Sequence, residues 1–296
     1  MRIRELAIAF LLAMATREAF AAEPSVMPPS SAIEVPEGEA EFGAFPIYER
    51  NQPASQAVRQ PSMRDPGPDT PDFPDSAFTV KPGVVYVETS MAYLSAKRPT
   101  TREYATPTLL RVGVTEKLEL RFSTVGYLQE NGPEGSVAGL GQFALGFKRN
   151  IWDEDEQRGI PAFGIMGVLA IPTASANLDN GAAEPFLFFN FDHTLPFDWS
   201  LNWNGGIAWL KGDDDERFVQ GSLLWAFTRQ WNDDFATFWH GYLTVPGFSG
   251  EEEELVTGPG FLKYLGDRVV IDASYNFGAT SGSPNRFIRI GLSAAF

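Results

Sequence analysis

The chain has 296 residues, no cysteine, two histidines and a net charge of −15. That leaves no disulfide framework, no thiolate metal site and no histidine cage, and so acidic a chain repels phosphate backbones, which argues against nucleic acid. Hydrophobic residues make up 44% and aromatics 13%, yet past the first twenty positions no apolar run reaches the ~18 residues of a membrane helix, which points to an all-β protein.

Residues 1–21 read as an export signal. Arg2 and Arg4 form a basic end, Leu6 to Ala15 an apolar run, and Ala19-Phe20-Ala21 a small-x-small cleavage site. From Ala22 to about Ser76 the chain holds eleven of its 22 prolines, together with Glu34, Glu37, Glu39 and Glu41. Proline fixes φ and removes backbone donors, so neither helix nor sheet runs through such a stretch. The expectation is an extended, largely disordered periplasmic arm over 22–78, followed by one β domain over 79–296.

From Val84 onward the chain breaks into period-2 stretches. Side chains alternate between the two faces of a strand, so apolar residues at every second position mark one surface that faces core or lipid. Trp199, Leu201, Trp203, Ile207 and Trp209 alternate with Ser200, Asn202, Asn204, Gly206 and Ala208. Leu118, Leu120 and Phe122 alternate with Glu119, Arg121 and Ser123 in the same way. Twelve stretches follow the rule, near 83–95, 103–115, 117–128, 138–150, 160–173, 184–194, 198–211, 216–229, 233–245, 254–265, 268–279 and 286–296. Each is long enough for a tilted strand to cross a bilayer, and the even number suits a bacterial outer-membrane barrel. Residues 233–245 fit either phase, and Pro107 interrupts the second stretch. Even-numbered connections are mostly tight (Thr115-Glu116, Leu195-Pro196, Gly266-Asp267). Odd-numbered ones, such as Gln129 to Val137 and Thr173 to Pro185, are longer, as for short periplasmic turns and outer loops. Asn150 to Gly159 is the long exception on the inner side.

A soluble β-sandwich would alternate too. The export signal, the aromatic Phe296 closing the last strand, and Trp152, Trp199, Trp209 and Trp231 near strand ends favour a twelve-stranded antiparallel transmembrane β-barrel.

The run from Val137 to Lys148, Ile165 to Thr173 with its Ile171-Pro172-Thr173 ending, Pro259 to Leu265, and the closing 286–296 resemble the outer-membrane transporter family of the MetA pathway of phenol degradation. The resemblance spans about residues 83–296. It implies an outer-membrane barrel that passes phenolic or other aromatic solutes, and it supplies no catalytic residue.

If the greasy phase faces lipid, the other lines a lumen. That puts Glu88, Glu119, Asp192 and Asp272 inside with Arg111, Arg121, Lys148 and Arg289, a balanced set expected to pair because an isolated charge there is costly. Such a set either forms a selective constriction or only cross-links the barrel. Tyr86, Tyr127, Phe186, Phe188 and Phe218 would also point inward, as stacking walls for a flat solute or as filling. Two acidic runs, Asp213-Asp214-Asp215-Glu216 and Glu251-Glu252-Glu253-Glu254, fall on predicted outer loops, where they either hold a hard divalent cation or stay solvated. No cofactor is expected. The partners implied are outer-membrane lipid and lipopolysaccharide, the barrel assembly machinery, and a small hydrophobic or aromatic solute. Two further readings stay open: a non-transporting anchor whose arm binds a periplasmic or cell-wall partner, and a barrel lipid hydrolase using His240, with His193 phased toward lipid.

Overall fold

The computed structural model describes residues 60–97, 100–176, 178–179, 181–212, 216–247 and 252–296. The export signal, residues 22–59 of the arm, Asp213, Asp214, Asp215 and Glu251 lie outside the described residues.

Fifteen β-segments follow one another: β1 Val85–Lys97, β2 Thr100–Ala105, β3 Thr108–Thr115, β4 Leu118–Thr124, β5 Tyr127–Gly132, β6 Gly135–Leu140, β7 Phe143–Trp152, β8 Ala162–Ile171, β9 Glu184–Leu195, β10 Trp199–Lys211, β11 Arg217–Asn232, β12 Phe235–Pro246, β13 Glu254–Leu265, β14 Val269–Gly278 and β15 Arg286–Ala295. They make twelve strands, because β2–β3, β4–β5 and β6–β7 are single strands with a local break. Every pairing is antiparallel between neighbours. β15 returns to β1, from Tyr86↔Ala295 to Ser95↔Arg286, so the sheet closes on itself.

The breaks have local causes. Pro107 has no N–H to give, and its carbonyl accepts from Ser90 N at 3.0 Å. Gly126 takes φ 69°, a conformation that suits glycine, and its extra residue bulges the strand. The bulge inverts the side-chain phase. Before it Glu119 and Arg121 face inward; after it Leu128 does, so Tyr127, expected in the lumen, points outward and is half exposed. Gly141-Gln142 resets the phase on the next strand, where Ala144 and Lys148 are buried. The same strands run further than their alternation indicated. The expected loop from Gln129 to Val137 is therefore a hairpin closed at Gly132↔Gly135.

The barrel is inside-out relative to a soluble protein. Arg111, Glu119 and Lys148 are 0% exposed, whereas Phe122, Leu145 and Ile290 are 41%, 47% and 61% exposed. Such a continuous apolar exterior suits hydrocarbon, and the dry sandwich does not form. Residues 233–245 settle in one phase, with Ala236, Phe238, His240, Tyr242 and Thr244 inward.

The expectation of an unstructured arm up to 78 is corrected over its last part. Pro61 to Val80 forms neither helix nor strand, yet it is packed inside the barrel. Met63 N donates to Asp267 O at 2.7 Å, at the short-turn end. Phe73 reaches the wall rings of Tyr242 and Phe287, and Thr79 is back at the short-turn end, donating to Glu116 O at 3.1 Å. This strap is an excursion into the lumen and out again.

Candidate functional site

A segment with five prolines from Pro61 to Val80 cannot satisfy its own backbone groups, and buried N–H groups must find acceptors. The wall supplies them as side chains. Glu88 Oε2 accepts from the backbone N of Asp69 at 2.9 Å and of Thr70 at 2.8 Å. Glu119 Oε2 accepts from Val80 N at 2.7 Å, and Asp192 accepts from Ala77 N. Asn204 grips Asp75 from both sides, accepting from its N at 2.7 Å and donating to its O at 2.8 Å. Arg111 donates to Gly67 O at 3.2 Å and Tyr86 to Pro66 O at 2.9 Å.

The same wall residues hold one another. β1, β3, β4 and β7 lie side by side, which brings their inward charges together. Arg111 meets Glu119 with both arms of its fork, at 2.9 and 3.0 Å, and Glu88 at 3.1 Å. Arg121 lies 2.8 Å and Lys148 3.6 Å from Glu119. Into this ladder the strap inserts Asp69, at 2.6 Å from Arg121, 2.6 Å from Lys148 and 3.3 Å from Arg111. Asp75 adds a 2.5 Å contact with Arg121. Burial alone would raise the Asp69 carboxyl; Arg111, Lys148 and Arg121 together hold it far below the usual carboxylate range. On β14 and β15, which follow β1 around the barrel, Arg289 meets Asp272 at 3.1 Å.

All eight charged residues read as lumenal lie on the inner face, seven of them buried and Asp192 half-buried. Their chief contacts are with each other and with the strap, so they form a cradle more than a bare constriction. Tyr86, Phe186 and Phe188 are buried on the same face, and Phe218 is inward and half-buried. Tyr127 is outside the set, for the reason given above. Among the expected loop acids, Glu216, Glu252 and Glu253 are exposed. Glu254 corrects the expectation of a loop ligand: it opens β13, is fully buried, and accepts from Tyr242 Oη at 3.1 Å. No group of three or more His, Asp or Glu side chains suited to a metal ion occurs among the described residues.

Phe73 caps the strap. Its ring stacks on His240 at 4.1 Å and meets Tyr242 edge-on at 5.0 Å. His240 Nε2 lies 2.7 Å from Asn276 Oδ1, and Asn276 in turn donates to Ser274 Oγ at 3.2 Å. The amide, and not the imidazole, stands beside the serine, which is the wrong order for a hydrolytic relay. Beside Phe73 the lumen keeps a cavity of ≈ 140 Å³, lined by Phe73, Phe186, Phe188 and Met166 and by Asp72, Asp75, Arg121 and Arg289.

The strap residues Asp69, Asp72, Phe73 and Asp75 escape a search for strand periodicity. A different signal marks them: Pro68-Asp69, Pro71-Asp72 and Pro74-Asp75 repeat every third residue, around a single phenylalanine. An acid spaced so regularly is more than the solubilising charge of a tail.

Comparison with known proteins agrees with this geometry. A family model described as "Putative MetA-pathway of phenol degradation" matches residues 68–296, so the matched region takes in the strap from Pro68. An outer membrane channel of Pseudomonas putida F1 superposes with a TM-score of 0.56 at 13% identity, over 75% of this chain and 99% of that one. A porin named NanC superposes with a TM-score of 0.51 at 10% identity, over 70% of this chain and 98% of that one. At such identities the likeness is one of fold. No curated protein matches the chain in sequence.

Proposed function

The chain belongs to the family described as "Putative MetA-pathway of phenol degradation", and from that membership we propose that it is an outer-membrane channel admitting small aromatic or phenolic solutes by passive diffusion. The observation that carries the reading is the lumenal cavity at the strap's tip, lined by rings together with a few charged side chains. Pockets of that make-up bind a flat solute while fixing one polar substituent. Outer-membrane lipid and lipopolysaccharide surround the apolar belt. The short turns face the periplasm, so the strap enters from that side. No catalytic step belongs to this reading.

Liposome swelling tests it. Purified protein should admit phenol-sized solutes, and deletion of residues 61–78 should raise the rate severalfold. A barrel that admits nothing in either form would refute the reading. It would favour a sealed anchor, for which the strap's dense ties to the wall speak. Deleting residues 22–60 separates the two: transport should survive, and anchoring to a periplasmic or cell-wall partner should not.

A further inference from the structure

The lumen's charge comes in two layers. The barrel wall contributes the eight residues described above, four of each sign, together with the buried acids Glu103, Glu184 and Glu254. The strap from Pro66 to Val80 contributes Asp69, Asp72 and Asp75 and no base. Two of these acids are committed: Asp69 and Asp75 share Arg121, and Asp69 also holds Lys148. Asp72 lines the cavity and makes no hydrogen bond or ion pair with the described residues. Of the bases at the cavity, Arg121 is engaged by Glu119 and the other strap acids, and Arg289 gives one arm of its guanidinium to Asp272 while its buried Nε has no hydrogen-bond partner among the described residues. Asp72 is thus the acid at the cavity that holds no ion-pair partner among the described residues, and a cation placed beside it would draw its carboxyl to the ionised form. The rings of Phe73, Phe186 and Phe188 line the same cavity, and ring faces attract cations. The volume of ≈ 140 Å³ is close to the ~150 Å³ that accommodates one benzene ring.

We propose that this cavity is a binding site for a small aromatic ammonium ion, its cationic group on Asp72 and its ring among Phe73, Phe186 and Phe188. The inference rests on the reading that the barrel admits aromatic solutes and adds the charge it selects. Asp72, carried by the strap and not by the wall, is the residue that decides it. Burial pushes the Asp72 carboxyl well above the usual range. Asp69, Asp192 and Asp75 add to that push, and Arg289 opposes it. A bound ammonium stabilises the ionised form, so its affinity rises with pH until the amine itself loses its proton. A neutral ligand lacks that dependence.

Titration calorimetry on the full chain in detergent micelles, with benzylammonium, benzyl alcohol and benzoate, tests the site. The three probes share size and differ in charge. Benzylammonium should bind roughly tenfold more tightly than benzoate, equivalent to one power of ten in Kd. Asp72→Asn should abolish that gap, and Phe188→Ala should weaken benzylammonium and benzyl alcohol together. Equal affinities, tighter benzoate, or a gap that persists in Asp72→Asn would overturn the inference. Benzyl alcohol reports on the underlying reading: if it binds without any charge preference between the other two, only the inference fails. If none of the three binds and none enters liposomes, the channel reading fails and takes the inference with it.

Discussion

Asp69 is the residue on which the strap turns. One carboxylate meets three cations that stand side by side on adjacent wall strands. Removing one member of a buried ion cluster costs about 3–5 kcal/mol, because the remaining charges keep their desolvation and lose their partner. Asp69→Asn should therefore release the strap while the barrel stays closed. The check is faster protease cleavage within 61–80 alongside an unchanged β signal in circular dichroism. Arg64 makes the second tie, at the rim, through contacts of 2.8 Å with Asp234 and 2.7 Å with Asp267. Hydrogen bonding to Arg64 holds the Asp234 carboxyl below its usual range. A depressed carboxylate contributes stability above its unfolded value and loses it as pH falls through the folded one. Hydrogen exchange at the Met63 amide should thus show less protection below about pH 4, and Arg64→Ala should remove that acid dependence. Protection that weakens instead on raising the pH would contradict the assignment.

At the scale of elements, glycine placement shows where the strap meets the wall. A Cβ on Gly113 would lie 2.0 Å from the backbone oxygen of Lys81 and 2.5 Å from that of Val80. Gly113 is an inward position of β3, so the strap's returning limb passes against bare backbone there. Gly113→Ala should push that limb away and accelerate solute entry in the swelling assay. Gly205→Ala, where nothing lies within 4 Å of the added carbon, is the matched control and should leave the rate unchanged. Alternation alone identifies the inward set on unbroken strands, and Arg111, Lys148 and Arg289 follow it. It fails at Tyr127, where one bulged residue at Val125-Gly126 inverts the phase, and a bulge has no period to detect. Glu254 misleads for another reason. Four consecutive glutamates read as a solvated run, and nothing local says that the last of them begins a strand.

For the whole molecule the decisive feature is that charge is inside and grease outside. Leu145 stands midway along the apolar exterior. Leu145→Arg should cost about 2–4 kcal/mol in a bilayer, measured by denaturant unfolding in liposomes, because arginine there must be drawn into hydrocarbon. A cost near zero would mean that this face meets water. The amino-acid sequence by itself determined the all-β class, the twelve strands and eight of the wall charges, but not the buried Glu103, Glu184 and Glu254. Each of these follows from side-chain alternation along a strand, which is a local property of pleated backbone. The tertiary structure alone decided that Pro61 to Val80 lies in the lumen. That segment has no periodicity of its own to bury. Its place depends on carboxylates and amides from strands far apart in sequence converging on its bare N–H groups, and such a match exists only once the barrel has closed.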